Sequence, residues 1–374
     1  MRVLHVHSGN LYGGVETLMG TLARNRNLCP SMEPHFALCF DGRLKAELSA
    51  AEVPVYSLGA ARVSRPFTVL RARRALTDLL NREQFDVAMC HSSWTQAIFA
   101  PVIRAANLRL VFWLHGAAIG KHWLERWARI YRPDFVICNS RFTQSTLSNL
   151  YPDVRSEVLY CPVEFASTNF SKADRVAVRA ELKTPADATV IIQTSRMEPW
   201  KGQRLHLEAL GLLRELPGWM CWQVGGGQRP FEVTYLDELR TLAARLGIAE
   251  RVRFLGQRSD VGRLLAAADI YCQPNTGAEP FGIAFIEALA AGLPVVATAM
   301  GGAKEIVNDS CGMLVQGDAS SVASSLRQLI RDSSLRSKLA MSGQTRAQEL
   351  CGASTQMNRL GPLLDGSPRA EVAA

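Results

Sequence analysis

Short apolar runs rich in β-branched residues alternate, along most of the chain, with stretches whose apolar positions recur every three to four residues. The runs at 3–7, 35–40, 53–57, 87–91, 110–115, 135–139 and 158–160 read as strands. So do those at 189–194, 220–224, 252–255, 270–273, 295–298 and 312–315. Helical patterns separate most of them. Strands that alternate with helices pair in parallel, because a parallel pair needs a long crossover and not a tight turn. Two such blocks make an α/β chain of two Rossmann-like domains. Between Pro162 and Asp187 no strand-like run occurs, and Asn169-Phe170-Ser171 and Thr184-Pro185 punctuate the gap. The expected organisation is a domain over 1–165, a linker over 166–186, a domain over 187–350 and a tail over 351–374. Gly366-Ser367-Pro368 marks a frayed end of that tail.

Composition agrees with two packed domains. The 374 residues are 48% apolar, long for one ordinary domain and enough for two real cores. No uncharged apolar run reaches about 18 residues, which argues against a membrane-spanning helix. Met1-Arg2 leads straight into a strand-like run, so no signal peptide is expected. The nine cysteines stand singly with no C-x-x-C pair, a pattern of reduced thiols in a cytoplasmic setting.

The net charge of +8 is unevenly spread. Residues 1–165 hold 19 Lys+Arg against 13 Asp+Glu, and the rest hold 23 against 21. The excess gathers at Arg62, Arg65, Arg71, Arg73 and Arg74, interleaved with Pro66, Phe67, Val69 and Leu70. A second group is Trp123, Arg126, Trp127, Arg129 and Arg132. Cations among large apolar side chains can dock peripherally on an anionic membrane surface. They can equally be solvated helix faces with Arg stems laid on a core. No groove-reading module or base-stacking motif is evident, so nucleic acid is not an expected partner.

Candidate chemistry concentrates in Glu279-Pro-Phe-Gly-Ile-Ala-Phe-Ile-Glu287. A helix should start near Gly282 and stop at Gly292, before Pro294. An anion near Gly282 would meet unpaired backbone N–H groups and the positive end of the helix dipole, which makes Phe281, Gly282 and Ile283 candidate binding residues. Glu279 would stand beside that anion, and Glu287, one to two turns in, could accept from ribose hydroxyls. The alternative is a loop acid and a solvated helix residue. Arg196 and Lys201 fall in the turn between the strand ending at Ser195 and a helix running from near Gly202 through Leu213. A planar fork and a point charge at the C-terminal end of a parallel strand suit a diphosphate, although a solvated turn would carry the same residues.

In the N-terminal half, His5, His7 and Ser8 lead into a loop containing Gly13, Gly14 and Glu16, with a helix starting near Gly14. The two glycines let the backbone approach a ligand, or simply make a tight turn. The loop is not G-x-G-x-x-G, which disfavours a simple dehydrogenase. His115 ends a strand beside Gly116, placed to reach a cleft or merely satisfied at a strand end; His91 also ends a strand. His5 and His7 share a strand face without a third ligand at metal spacing.

Several of these segments occur together in a recognisable order: Ser195-Arg196, Lys201-Gly202, Gly225-Gly226-Gly227, Phe254-Leu255-Gly256, Ala268-Asp269-Ile270 and Glu279 through Glu287. Together they resemble the donor domain of a family-4 retaining glycosyltransferase with the GT-B fold. Gly301-Gly302-Ala303-Lys304-Glu305 and Gly312-Met313-Leu314-Val315 extend the likeness, which covers roughly residues 2 to 350 and is strongest from 190 to 318. Ser195 stands where the family often has Gly, and Asn275 where Ser is common; neither departure removes a charge.

The resemblance implies two Rossmann-like domains facing across a cleft, with no cofactor and a nucleotide-diphosphate sugar as co-substrate. It implies a catalytic set of Arg196 and Lys201 at the leaving diphosphate, Glu279 at the transferred sugar, and His115 near that sugar through its ring or its carbonyl. Glu287 would hold the ribose, Gln257 and Arg258 would lie near the base, and Gly13 and Gly14 would approach the donor from the other domain. The chain has no Asp-x-Asp pair of the kind that holds a metal in the other large glycosyltransferase fold, so a metal is not expected. In the family the last helix crosses back to the N-terminal domain, here around 354–364, within limits set by Gly352 and Gly361. The acceptor stays open, with a lipid-linked or polysaccharide acceptor the family association. The rival readings are a nucleotide-sugar epimerase or phosphorylase on the same fold, and a non-catalytic sugar-nucleotide-binding subunit.

Overall fold

The computed structural model of the chain describes residues 1–10, 12–165, 170–227 and 229–365. They form two compact units, one of Met1–Glu164 joined by the chain from Cys351 onward, the other of Phe165–Leu350. The first holds β1 (Arg2–His7), β2 (Glu33–Leu38), β3 (Val55–Ser57), β4 (Val87–Cys90), β5 (Arg109–Leu114), β6 (Phe135–Cys138) and β7 (Ser156–Val158). They pair in parallel in the order β3-β2-β1-β4-β5-β6-β7. The second holds β8 (Thr189–Thr194), β9 (Trp219–Val224), β10 (Val252–Phe254), β11 (Ile270–Gln273), β12 (Val295–Thr298) and β13 (Gly312–Val315). Their order is β10-β9-β8-β11-β12-β13, again all parallel. Each unit is thus a doubly wound, Rossmann-like sheet.

Helices cover both faces of such a sheet, so central strands are buried along their whole length; every residue of β8 and of β9 is buried. Leu4, Val6, Cys90, Phe112 and Val136 share one core, and Ile191, Cys221, Ile270, Val296 and Leu239 another. Each large side chain fully withdrawn from water is worth about 1.5–3 kcal/mol. In each sheet the strand order reverses once, between β1 and β4 and between β8 and β11. Loops leave the strand ends in opposite directions there and open a crevice, the place where such sheets bind ligands.

The expected strands at 189–194, 270–273, 295–298 and 312–315 coincide with the observed ones. The one expected at 158–160 is Ser156–Val158 instead. It lies at a sheet edge, where half-exposed polar residues replace the apolar run. The one expected at 35–40 ends at Leu38, because the N–H groups of Cys39 and Phe40 turn to the carbonyl of Ser8.

The stretch expected as a linker carries a helix, Lys172–Glu181, opened by a capping box between Ser171 and Asp174. Residues 166–169 of that stretch, and Gly366-Ser367-Pro368 of the expected tail, lie outside the described residues. The final helix, Ala353–Asp365, belongs to the first unit, with Met357, Leu360 and Leu364 fully buried. Arg359 Nη2 donates to the carbonyl of Val158 at 2.9 Å. Gly361, expected to limit this helix, lies inside it and packs against Cys29 and Ser31.

Asp269 fastens the Lys172–Glu181 helix to the second sheet. Its carboxylate accepts from Arg175 Nη2 and Arg179 Nη2, each at 2.6 Å, and from the N–H of Val190 at 2.7 Å. Arg179 is only 5% exposed, so removing the carboxylate leaves a buried guanidinium held by backbone carbonyls alone. Asp269→Ala is expected to lose stability at the lower end of about 3–5 kcal/mol in urea unfolding. A loss too small to measure would show that the clamp does not hold the helix.

Candidate active site

The second unit's crevice is built on the turn after β8. Gly202 follows the 3-10 turn Pro199–Lys201 with φ 74° and ψ 18°, and a Cβ there would lie 1.8 Å from the carbonyl oxygen of Pro274. Only glycine lets the Lys201 turn close onto the exit of β11. The helix Gln203–Gly211 follows. Two fully buried amides hold the turn. Gln203 Nε2 donates to the carbonyl of Arg196 at 2.7 Å and to Ser195 Oγ at 3.0 Å. Gln193 Nε2 donates to the carbonyl of Lys201 at 2.8 Å, and its Oε1 lies 2.9 Å from His206 Nδ1. Neither amide was singled out from the sequence; the only signal was a polar residue in an otherwise apolar strand, and another just after Lys201-Gly202.

Lys201 Nζ donates to Glu279 Oε2 at 2.7 Å and lies 4.0 Å from the centre of the Trp200 ring. Asn275 Nδ2 donates to the same oxygen at 2.9 Å, so the departure at 275 supplies a second donor. Gln273 Nε2 approaches it at 3.4 Å. All three converge on Oε2, and among the described residues Oε1 of this carboxylate, whose residue is 8% exposed, takes no hydrogen bond. Arg196 forms an ion pair with Glu198 at 3.1 Å.

The helix Ile283–Ala290 starts behind Gly282, which caps it with φ 110°; a Cβ there would meet the Phe285 ring at 2.4 Å. The N–H of Gly302 donates to the carbonyl of Glu279 at 2.7 Å and holds this loop from the far side. Ile283 is half-buried at the helix start, whereas Phe281 is buried. Glu287, one turn in, is half-buried, and its carboxylate takes no hydrogen bond among the described residues. Desolvation pushes its carboxyl up to about 7.

Arg196, Lys201, Glu279, Gly282, Ile283 and Glu287 therefore gather at one switch point. Gln257 and Arg258 follow β10, beside the loop after β9: a Cβ at Gly226 would lie 3.1 Å from the backbone nitrogen of Gln257, and one at Gly225 1.9 Å from the carbonyl oxygen of Ser195. The Arg258 guanidinium is taken up by Asp260 at 2.8 Å and Glu181 at 3.0 Å, bonds that hold it well above its ordinary pKa. It ties the loop after β10 to the Lys172–Glu181 helix.

The first unit's crevice is lined by imidazoles. Gly13 caps the helix Gly14–Arg24, whose first turn places the buried Glu16 2.7 Å from His7 Nε2 on β1. His5, also on β1, has Nδ1 2.9 Å from His91 Nε2, and His91 Nδ1 lies 3.0 Å from His115 Nε2. The His91 and His115 rings lie 9° from parallel, edge to edge, with the Trp113 ring 5.5 Å from each. Asn139 Nδ2 donates to the carbonyl of His115 at 3.2 Å, so that carbonyl already serves as an acceptor. Desolvation pushes His5 and His115 down to about 3, and His91 well below its ordinary value. Among the described residues no group of three or more His, Cys, Asp or Glu is arranged to hold a metal ion.

Two family models match the chain, one described as Glycosyltransferase Family 4 over residues 12–166 and one as Glycosyl transferases group 1 over 174–346. The lipopolysaccharide core biosynthesis glycosyltransferase LpsE of Rhizobium meliloti is 34% identical over 214 residues, 56% of this chain and 58% of that protein. The phosphatidyl-myo-inositol mannosyltransferase of Mycobacterium leprae is 30% identical over 300 residues, 78% of this chain and 76% of that protein. The crystal structure of Anabaena Alr3699/HepE in complex with UDP and glucose superposes with a TM-score of 0.86 at 26% identity, over 98% of this chain and 99% of that one.

The buried imidazoles make folding stability depend on pH. His5, His91, His115 and His206 are all depressed by burial, and so stay neutral in the fold while the unfolded chain takes up protons below about 6.5. Their contribution is present in full above that pH and is lost as the pH falls, each by about 1.4 kcal/mol per unit until its folded pKa is reached. Urea unfolding at pH 7.5 and pH 5 should show this loss, and His206→Gln should shrink it. Equal stability at the two pH values would contradict the burial described.

Proposed function

Belonging to glycosyltransferase family 4 with its GT-B fold, the chain is a glycosyltransferase that uses a nucleotide-sugar donor, and we propose that it is a retaining one that works without a metal ion. The observation that carries this reading is the set Arg196, Lys201 and Glu279 at one switch point, with Oε1 of Glu279 unoccupied by any described residue. The donor diphosphate binds Arg196 and Lys201, which stabilise the charge that builds on it as the glycosidic bond breaks. Glu279 accepts from a hydroxyl of the transferred sugar, and Glu287 from the ribose. The ring of His115 meets the sugar, and Gly13 and Gly14 approach the donor. HepE was crystallised with UDP-glucose, which makes UDP-glucose the first donor to try.

Acceptor-dependent release of nucleoside diphosphate, unchanged by EDTA, is the test. Release without acceptor, or none at all, would favour an epimerase, a phosphorylase or a non-catalytic subunit. The two glutamates should separate in the same assay. Glu279→Gln loses a contact that strengthens at the breaking bond and should mainly lower kcat; Glu287→Gln loses a remote one and should mainly raise the donor KM. Reversed effects would invert the placement of the two residues.

For the acceptor we propose a molecule at an anionic membrane surface, reached peripherally from the cytoplasmic side. No described helix is long and apolar enough to cross a membrane. On the helix Pro66–Arg82, Phe67 is 85% and Leu70 58% exposed, with Arg71 and Arg74 exposed beside them. Trp123 and Ile130 are exposed in the second basic stretch, and Ile119 just ahead of it. Arg73 is not part of this face, because its Nε donates to the carbonyl of Ile98 at 2.7 Å. At about 1 kcal/mol per cation, changing Arg71 and Arg74 together to Ala should weaken binding to anionic liposomes roughly thirtyfold. A wild-type protein that ignores such liposomes at low salt would point to a soluble acceptor.

A further inference from the structure

The three imidazoles joined in a row allow only two arrangements of protons. His5 Nδ1 meets His91 Nε2 at 2.9 Å, and His91 Nδ1 meets His115 Nε2 at 3.0 Å. Each of these bonds needs one N–H and one bare nitrogen. His5 and His91 are at most 1% exposed, and among the described residues no carboxylate lies within ion-pair distance of any of the three rings, so all three are neutral. Three protons are then shared by six ring nitrogens, and two protons sit in the row. The third sits at one end, on His5 Nε2 or on His115 Nδ1.

The ends differ. His5 Nε2 is buried and faces no partner. His115 is half-buried, and its Nδ1 takes no hydrogen bond among the described residues. A proton on His5 Nε2 would strand a buried N–H, which folded proteins tolerate less readily than a bare acceptor.

We propose that His5 and His91 act as positioning residues which lock His115 in its Nδ1–H form, so that it offers a hydrogen-bond donor, and not a base, to an oxygen of the bound sugar. The sugar contact rests on the transferase reading above; the proton arrangement does not. His5 Nδ1–H donates to His91 Nε2, and His91 Nδ1–H donates to His115 Nε2. An imidazole free in water favours the other form, with the proton on Nε2, so the row reverses an intrinsic preference.

The test is a long-range proton–nitrogen correlation spectrum of the full chain labelled with nitrogen-15 histidine, above pH 7. The expected result is His115 protonated on Nδ1 and bare on Nε2. A proton on His115 Nε2 overturns the proposal. In His91→Phe, His115 should move to the Nε2–H form and kcat/KM should fall at least about tenfold, the worth of one hydrogen bond. In His91→Asn, whose amide can place an N–H where the imidazole had one, His115 should stay in the Nδ1–H form and activity should fall less. His115 remaining Nδ1–H in a folded His91→Phe protein also overturns the proposal. If that variant does not fold, the wild-type and His91→Asn spectra decide. The spectra need no turnover, so an active transferase with His115 protonated on Nε2 sinks the positioning role alone. An inactive protein with the expected spectrum sinks the transferase reading alone.

Discussion

A buried ion pair across the break in strand order organises the second unit. Lys201 leaves the sheet after β8 and Glu279 after β11, strands adjacent in space though the two residues are 78 apart in sequence. Their side chains are only 15% and 10% exposed. Taking both ions from water costs several kcal/mol each, and mutual attraction offsets this only with good geometry and further hydrogen bonds. Asn275 supplies one such bond, and Gln193, Gln203 and Gly202 fix the turn that brings Lys201 into place. The fold's own contacts therefore fix the position of the cation. An anion that binds it must share it with Glu279 or displace it.

The first unit meets the same constraint with a buried His7–Glu16 contact at 2.7 Å and, beside it, a row of imidazoles. Its crevice brings β1, β4 and β5 together, and polar side chains there must be satisfied away from water. That row hydrogen-bonds from His5 through His91 to His115, packed between the rings of Phe36 and Trp113. A neutral row costs far less to bury than an ion pair. It also couples residues distant in sequence, because each ring's proton is set by its neighbour.

Much of the fold was legible because parallel strands under two layers of helix are buried throughout and so mostly apolar, as β8, β11 and β12 are. The edge strand β7 escaped because an edge need not be apolar, and the helix Lys172–Glu181 escaped although Ser171 and Asp174 signalled its start. In the site, the charged residues stood out by type and spacing. The amides of Gln193, Gln203 and Asn275 did not, since they act on a backbone carbonyl or on another side chain that only the fold brings near. Arg73 read as an available cation, yet its guanidinium is taken up by the carbonyl of Ile98, far along the chain. No local pattern carries that information.

Lys201 serves the diphosphate in this reading, while Glu279, its ion-pair partner, serves something else. Calorimetric titration of the wild type, Lys201→Ala and Glu279→Gln with UDP, and with GDP should UDP not bind, tests this directly. Lys201→Ala should weaken binding at least about tenfold, the loss of one charged hydrogen bond. Glu279→Gln, which frees Lys201 from its buried partner, should bind as tightly as the wild type or more so. Unchanged affinity in a folded Lys201→Ala protein, or a matching loss in Glu279→Gln, would contradict the account.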